Sequence, residues 1–283
     1  MERMPDSLRE PRNFESNSWW EETSLLLALD GSKQPQDFGV NANLGGQVAL
    51  NTAFPIFRPW GIGIQAGTSV IASANAVRVY ELLGEATGRT QSHTTIGAFQ
   101  RLDNGWSWGG VHDFVYTKSF DAFSLGQWRG RLSYLVTPKN EIGVNIALRS
   151  RSDTAIFGAG TPVTLRPINQ GYGFLRHFWD TGAQTTAWFG LAEEHGENNA
   201  VTGPSARKKN PFLFGADVLM PLTCSLAIYG ETNIIMPSDT GTVDAFLGIQ
   251  WTPGGNSYRA RRERYSPLLP MASPTTFSVD LIQ

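Results

Sequence analysis

The sequence predicts an all-β protein, a closed antiparallel up-and-down β-barrel of about twelve strands and of the transmembrane type. Three observations carry that reading. Between residues 60 and 252 apolar side chains recur at every second position in one short segment after another, the period of a strand with one apolar face. The breaks between segments alternate between tight turns and long polar connections, the asymmetry of outer-membrane barrels with short inner turns and long outer loops. Tryptophans collect at segment ends on the tight-turn side, where amphipathic rings belong at a headgroup level.

The elements follow in order. Residues 1–22 are polar and proline-punctuated and make a flexible N-terminal arm. Twelve strands then occupy 23–30, 37–50, 60–72, 89–101, 105–117, 124–136, 140–150, 168–179, 182–192, 210–220, 224–236 and 241–252, so the barrel runs over 23–252. Most are long enough to cross a bilayer at a tilt, which takes about 9–11 residues. The clearest is 140–150, where Ile142, Val144, Ile146 and Leu148 share one face and Glu141, Gly143, Asn145 and Arg149 the other. Asp103-Asn104-Gly105, Thr137-Pro138-Lys139-Asn140, Asp180-Thr181-Gly182 and Pro221-Leu222-Thr223 are hairpin chemistry, each between an even strand and the next odd one. The long polar connections 73–88, 151–167 and 193–209 fall on the other side. Two connections fit poorly: 51–59 is long for a turn and 237–240 short for a loop.

Which face points inward is argued from chemistry. Gln127, Arg129 and Arg131 share one face of a strand whose other face carries Trp128, Leu132, Tyr134 and Val136. A dry core would not take the first set, and water would not favour the second. The apolar row therefore faces lipid, and Trp60, Trp106, Trp108, Trp179 and Trp251 form an interfacial girdle. A lipocalin-like barrel would have fewer strands with apolar residues inward, and a propeller would repeat at roughly 40 residues, which the sequence does not do.

Composition agrees. Charged residues are 17% of the 283 positions, below the roughly 25% of soluble domains, and thirty glycines accompany nine tryptophans. A net charge of −2 offers no overall field for nucleic acid. One cysteine, Cys224, excludes an intramolecular disulfide and a cysteine-rich zinc site. No apolar run approaches the roughly 20 residues of a membrane helix. Residues 1–20 lack a basic-then-apolar export signal. Either the chain begins downstream of its leader or the outer-membrane assignment fails, and an apolar signal segment in frame before Met1 is the expected observation.

Several strings resemble a family of uncharacterised planctomycete proteins, a domain of unknown function held to be outer-membrane-type β-barrels. They are Gly31-Ser32-Lys33-Gln34-Pro35-Gln36-Asp37-Phe38-Gly39-Val40-Asn41-Ala42-Asn43, Gly126-Gln127-Trp128-Arg129-Gly130-Arg131 and Arg176-His177-Phe178-Trp179-Asp180-Thr181-Gly182-Ala183-Gln184. Phe214-Gly215-Ala216-Asp217-Val218, Ile235-Met236-Pro237-Ser238-Asp239-Thr240-Gly241-Thr242-Val243-Asp244-Ala245 and the closing Phe277-Ser278-Val279-Asp280-Leu281 complete the set. The resemblance spans residues 25–281. It implies a barrel in a bacterial outer membrane and no activity.

Candidate chemistry is sparse. Two Asp-Thr-Gly triplets, at Asp180 and Asp239, have the letters of an aspartic protease, but each sits where a strand reverses, and in this topology they lie at opposite ends of the barrel. His93, His112, His177 and His195 lack metal-site spacing. Glu193-Glu194-His195-Gly196-Glu197 reads as a solvated outer loop before it reads as a cation site. No Gly-x-Ser-x-Gly occurs, and Gly61, Gly63 and Gly67 read as inward glycines of a strand. The expectation is no enzyme, no catalytic residue, no metal and no cofactor. Interior charges are the functional candidates: Arg129, Arg131 and Arg149 on one wall, Asp217, Glu231 and Asp244 on the opposite one. In an open lumen they would set up a transverse field; in a filled one they would form salt bridges.

Residues 253–283 form an extended C-terminal tail, whose Arg259, Arg261, Arg262 and Arg264 read as a solvated linker before they read as a contact for anionic headgroups or cell-wall polymer. Leu268, Leu269 and Met271 pack onto something, while the tail as a whole hangs in the periplasm. The functional expectation is a narrow porin-like passive channel for small polar solutes or ions, with lipid as its partner. The alternative is a non-conducting structural or adhesive barrel acting through its long outer loops.

Overall fold

A computed structural model describes residues 19–35, 42–75, 81, 84, 86–157, 160–195, 198–199, 203–204, 209–236, 242–255 and 257–282. The strands are β1 (Ser24–Lys33), β2 (Asn43–Phe57), β3 (Ile62–Asn75), β4 (Gly88–Arg101), β5 (Trp106–Lys118), β6 (Ala122–Thr137), β7 (Asn140–Arg151), β8 (Asp153–Phe157) and β9 (Thr161–Pro167). They continue with β10 (Gln170–Phe178), β11 (Gln184–Ala192), β12 (Asn198–Asn199), β13 (Gly203–Pro204), β14 (Phe212–Pro221), β15 (Leu226–Ile235), β16 (Thr242–Trp251) and β17 (Val279–Ile282). Twelve of them close a barrel in the order β1-β16-β15-β14-β11-β10-β7-β6-β5-β4-β3-β2. Every pairing around it is antiparallel; Leu27, for example, lies opposite Ile249 on one side and Val48 on the other. Closure leaves no unpaired edge, as a wall in lipid requires.

Alternation decides the two faces. Along β1 the exposed positions are Leu25, Leu27 and Leu29, and the buried ones Leu26, Ala28 and Asp30. Along β7 the exposed set is Ile142, Val144, Ile146 and Leu148. The apolar row of each strand is thus turned outward, and Arg131 and Asp217 are enclosed. The interior is nevertheless not uniformly polar: Phe99, Val111, Leu125, Leu213 and Leu219 also point inward and are buried.

The tight turns share one end. Gly105 and Gly182 take positive φ there, +91° and +82°, conformations open to glycine. The long 51–59 connection dissolves on inspection. β2 runs on to Phe57, and a single 3-10 turn, Arg58–Trp60, ends on Gly61 at φ +65°. Gly61 therefore caps a turn, and only Gly63 and Gly67 of that trio are strand glycines facing inward. Residues 237–240, the short loop, lie outside the described residues, as do residues 1–18 of the arm and part of each long loop.

Two features depart from the sequence reading. Within the 151–167 connection, β8 and β9 form a hairpin that β17 extends to three strands. The tail does not hang in the periplasm. It enters at the turn end and runs through the lumen to the loop end, where β17 pairs with β9 (Val279 opposite Pro167, Leu281 opposite Leu165).

The outward assignment has a direct test. Ile146, midway along β7 and 49% exposed, should as Ile146→Arg cost about 2–4 kcal/mol of unfolding free energy in phospholipid vesicles, the midplane penalty for a charge on a lipid face. A loss below roughly 0.5 kcal/mol, typical of a water-facing site, would contradict it.

Candidate functional site: the occupied lumen

The lumen is the one interior the fold builds, and the tail occupies it. Ser257 enters beside the β14–β15 turn, its N–H donating to the Cys224 carbonyl at 3.0 Å. The stretch Ser266-Pro267-Leu268-Leu269-Pro270-Met271-Ala272-Ser273-Pro274 then runs extended between the walls. Proline holds that conformation and carries no N–H, so three fewer donors need partners away from water.

A turn over Ser273–Phe277 satisfies part of the backbone within the tail, and side chains of the wall supply further partners. Gln65 accepts from the N–H groups of Leu268 and Leu269, both at 3.1 Å, and donates to the Leu269 carbonyl at 3.0 Å. Ser69 donates to the Ala272 carbonyl at 3.0 Å, and the Ala272 N–H donates to the Thr95 hydroxyl at 3.1 Å. Gln127 donates to the Thr276 carbonyl at 2.9 Å. Gln34 accepts from the Val279 N–H at 3.0 Å and donates to the Pro274 carbonyl at 3.2 Å.

The predicted charged residues fall into this scheme one by one. Arg129 forms a buried ion pair with Asp113 of β5, Nη2 lying 3.0 Å from Oδ1, and gives a further bond to the Pro270 carbonyl at 2.9 Å. Arg131 donates to Asn145 at 2.9 Å and to the Leu268 carbonyl at 2.8 Å. Arg149 is apart from both, at the loop end, on Glu193 at 3.1 Å. On the opposite wall Asp217 pairs with the tail's own Arg261 at 2.9 Å. Glu231 accepts from Thr275 at 2.6 Å and from Tyr229 at 2.7 Å. Asp244 accepts from Gln34 at 3.0 Å. The two walls stand where expected, but they do not face each other across open water. Each of these groups is hydrogen-bonded locally, though Arg131 only to neutral oxygens, and Asp113 and Glu141 place acids within the basic wall. Arg261, expected in a solvated linker, is mostly enclosed.

Apolar contacts complete the seal. Leu268 and Leu269 pack with Ala53, Phe99 and Val111. Met271 and Ala272 join Leu26, Ala49, Tyr229 and Phe246. At the loop end Phe277, Val279 and Leu281 meet Val115, Phe123 and Leu125 of the wall and Ala155, Val163 and Leu165 of the hairpin. Burying each large side chain contributes about 1.5–3 kcal/mol. The hairpin is pinned to the wall as well: Asp153 accepts from the Ser124 N–H at 2.8 Å, which holds its carboxyl below the usual range.

The remaining candidates are structural. Trp60, Trp106, Trp108, Trp179 and Trp251 ring the turn end with 43–66% exposure, and Trp20 joins them. Asp180 is an exposed turn residue whose carboxyl Lys139, 2.7 Å away, hydrogen-bonds and holds below the usual range; Asp239 lies outside the described residues. Glu193 is engaged by Arg149 and Asn169, while Gly196 and Glu197 lie outside the described residues. His112 and His177 face outward beside Trp128 and Trp179. Gln65 and Arg101 were not singled out in the sequence, yet each makes three hydrogen bonds to the tail backbone, Gln65 at Leu268 and Leu269 and Arg101 at the Arg261, Ser266 and Pro267 carbonyls. Gln65→Ala should therefore speed amide exchange at Leu268 and Leu269 by about ten- to a hundredfold, as expected when buried donors lose their acceptor. Unchanged exchange there would place the tail elsewhere.

Solved structures share the architecture. A membrane protein from work on in-meso crystallization has 11% identity over 92% of this chain and 100% of its own, with a TM-score of 0.52. The translocator domain of autotransporter NalP from Neisseria meningitidis has 12% identity over 81% of this chain and 87% of its own, also with a TM-score of 0.52. At such identity the likeness is one of fold. No curated protein matches the chain by sequence. The model of a family of unknown function, DUF6666, matches residues 22–279, and the chain belongs to that family.

Proposed function

We propose that the protein is a bacterial outer-membrane barrel that its own C-terminal segment keeps closed, a non-conducting envelope protein acting through its outer end. The observation that carries this reading is the tail's course, with partners on the wall from Ser257 at one mouth to Val279 at the other. The outward apolar rows and the tryptophan ring support lipid as the surrounding partner.

A porin-like channel for small polar solutes or ions is the second reading, in gated form. It is favoured by one fact: the tail pairs with no barrel strand, so the ring of twelve is closed without it. The inward Gln65, Gln127, Arg129 and Arg131 would then line water once the tail had left.

Planar-bilayer recordings separate the two. The full chain should give no steady conductance, and a chain ended after Thr252 should conduct if it folds. Steady conductance from the full chain would overturn the closed-barrel reading. Brief openings of the full chain, abolished by a disulfide that fixes the tail, would select the gated channel.

A further inference from the structure

Beside the tail, toward the turn end, lies a cavity of about 100 Å³, several times the roughly 10–15 Å³ that one water needs. Its lining mixes two kinds of side chain: Arg131 of β6, Arg176 of β10 and Arg261 of the tail on one hand, Leu26, Phe246 and Met271 on the other.

Two of the three arginines have carboxylate partners, Arg176 on Glu141 and Arg261 on Asp217, both at 2.9 Å. Arg131 does not. It is 9% exposed, and its hydrogen bonds go to the neutral oxygens of Asn145 and Leu268. A buried cation without a bonded counter-charge is expensive, so such a site favours an arriving anion. Its guanidinium and that of Arg176 stand 4.8 and 5.7 Å from the centroid of one Phe174 ring, which sets two cations in one corner. Arg259 of the tail, a fourth arginine on the lining, pairs with Glu263 at 3.4 Å, so of the four only Arg131 lacks a bonded carboxylate among the described residues. Asp217 is already committed to Arg261.

We infer that this cavity binds a small organic acid, its carboxylate on Arg131 and Arg176 and its apolar body on Leu26, Phe246 and Met271. Because Arg261 and Met271 belong to the tail and Arg131, Arg176, Leu26 and Phe246 to the wall, an occupant bridges the two. The site stands on the cavity alone and does not depend on whether the barrel ever conducts.

Calorimetry on the folded full chain in detergent micelles tests it with three probes: benzoate, inorganic phosphate and benzyl alcohol. Benzoate should bind at least about tenfold more tightly than either of the others, since charge-assisted and apolar contacts are both needed. Arg131→Gln should weaken benzoate by about tenfold or more, and Met271→Trp, which fills the cavity and keeps the arginine, should abolish binding. Absence of benzoate binding to the unaltered chain would overturn the proposal. So would benzyl alcohol or phosphate binding as tightly as benzoate, or benzoate binding that Met271→Trp leaves intact. If Arg131→Gln does not fold, the tryptophan variant decides.

Discussion

A polypeptide drawn through a closed barrel without joining its sheet must still satisfy its own backbone. That requirement organises this molecule. Each N–H and C=O of the tail left without a partner in a dry lumen would cost free energy comparable to a lost hydrogen bond. The solution is divided between the two parts. The tail sheds donors by placing Pro267, Pro270 and Pro274 along its course, and the wall offers amides and guanidiniums where strands usually offer backbone. Gln65 reads two N–H groups and one carbonyl, and Arg129 and Arg131 each take a carbonyl. The polar interior that suggests a water-filled pore is, in this chain, a template for an extended segment.

The same logic explains small residues on the inner wall. A Cβ at Gly67 would lie 2.4 Å from the Met271 sulfur and 2.8 Å from the Leu50 carbonyl oxygen. A Cβ at Gly109 would come within 2.9 Å of Leu268. Those positions are confined from two sides, by the tail and by the neighbouring strand, whose Phe99 Cβ would stand 2.7 Å from a Cβ at Gly109. The outward face packs against nothing else in the barrel, so its residues alternate cleanly, while the inward face answers to wall, tail and hairpin together and mixes Phe99 and Leu125 with Gln127 and Arg129.

The wall was legible in the sequence because a period of two survives in every long strand, and hairpin residues mark the turn end. At β2 and β3 the bounds differ from expectation because a bulge near Pro55 lets the strand continue through the expected 51–59 connection to Phe57, and Trp60, expected to open the next strand, sits in the 3-10 turn. The lumen was less legible. Asp113 lies in the inward phase of β5, two residues from Val111 and Val115, so alternation alone could have paired it with the basic wall. The tail could not be placed that way. Its apolar Leu268, Leu269 and Met271 announced that they needed cover, but a proline-spaced segment has no period that names its partner. The hairpin within 151–167 has an apolar face, Ala155, Val163 and Leu165, that is covered by Val115, Phe123 and Leu125 of the wall together with Phe277, Val279 and Leu281 from more than a hundred positions away.

Closure of the barrel by its own chain end is most directly tested with paired cysteines at Ser69 and Ala272, in a chain where Cys224 is replaced by alanine. Ser69 Oγ lies 3.0 Å from the Ala272 carbonyl oxygen, and both residues are buried. Threading through the lumen predicts that oxidation links the two positions within single folded molecules and that neither thiol reacts with a bulky maleimide. Two unlinked cysteines, with position 272 freely labelled while the barrel is intact, would contradict it.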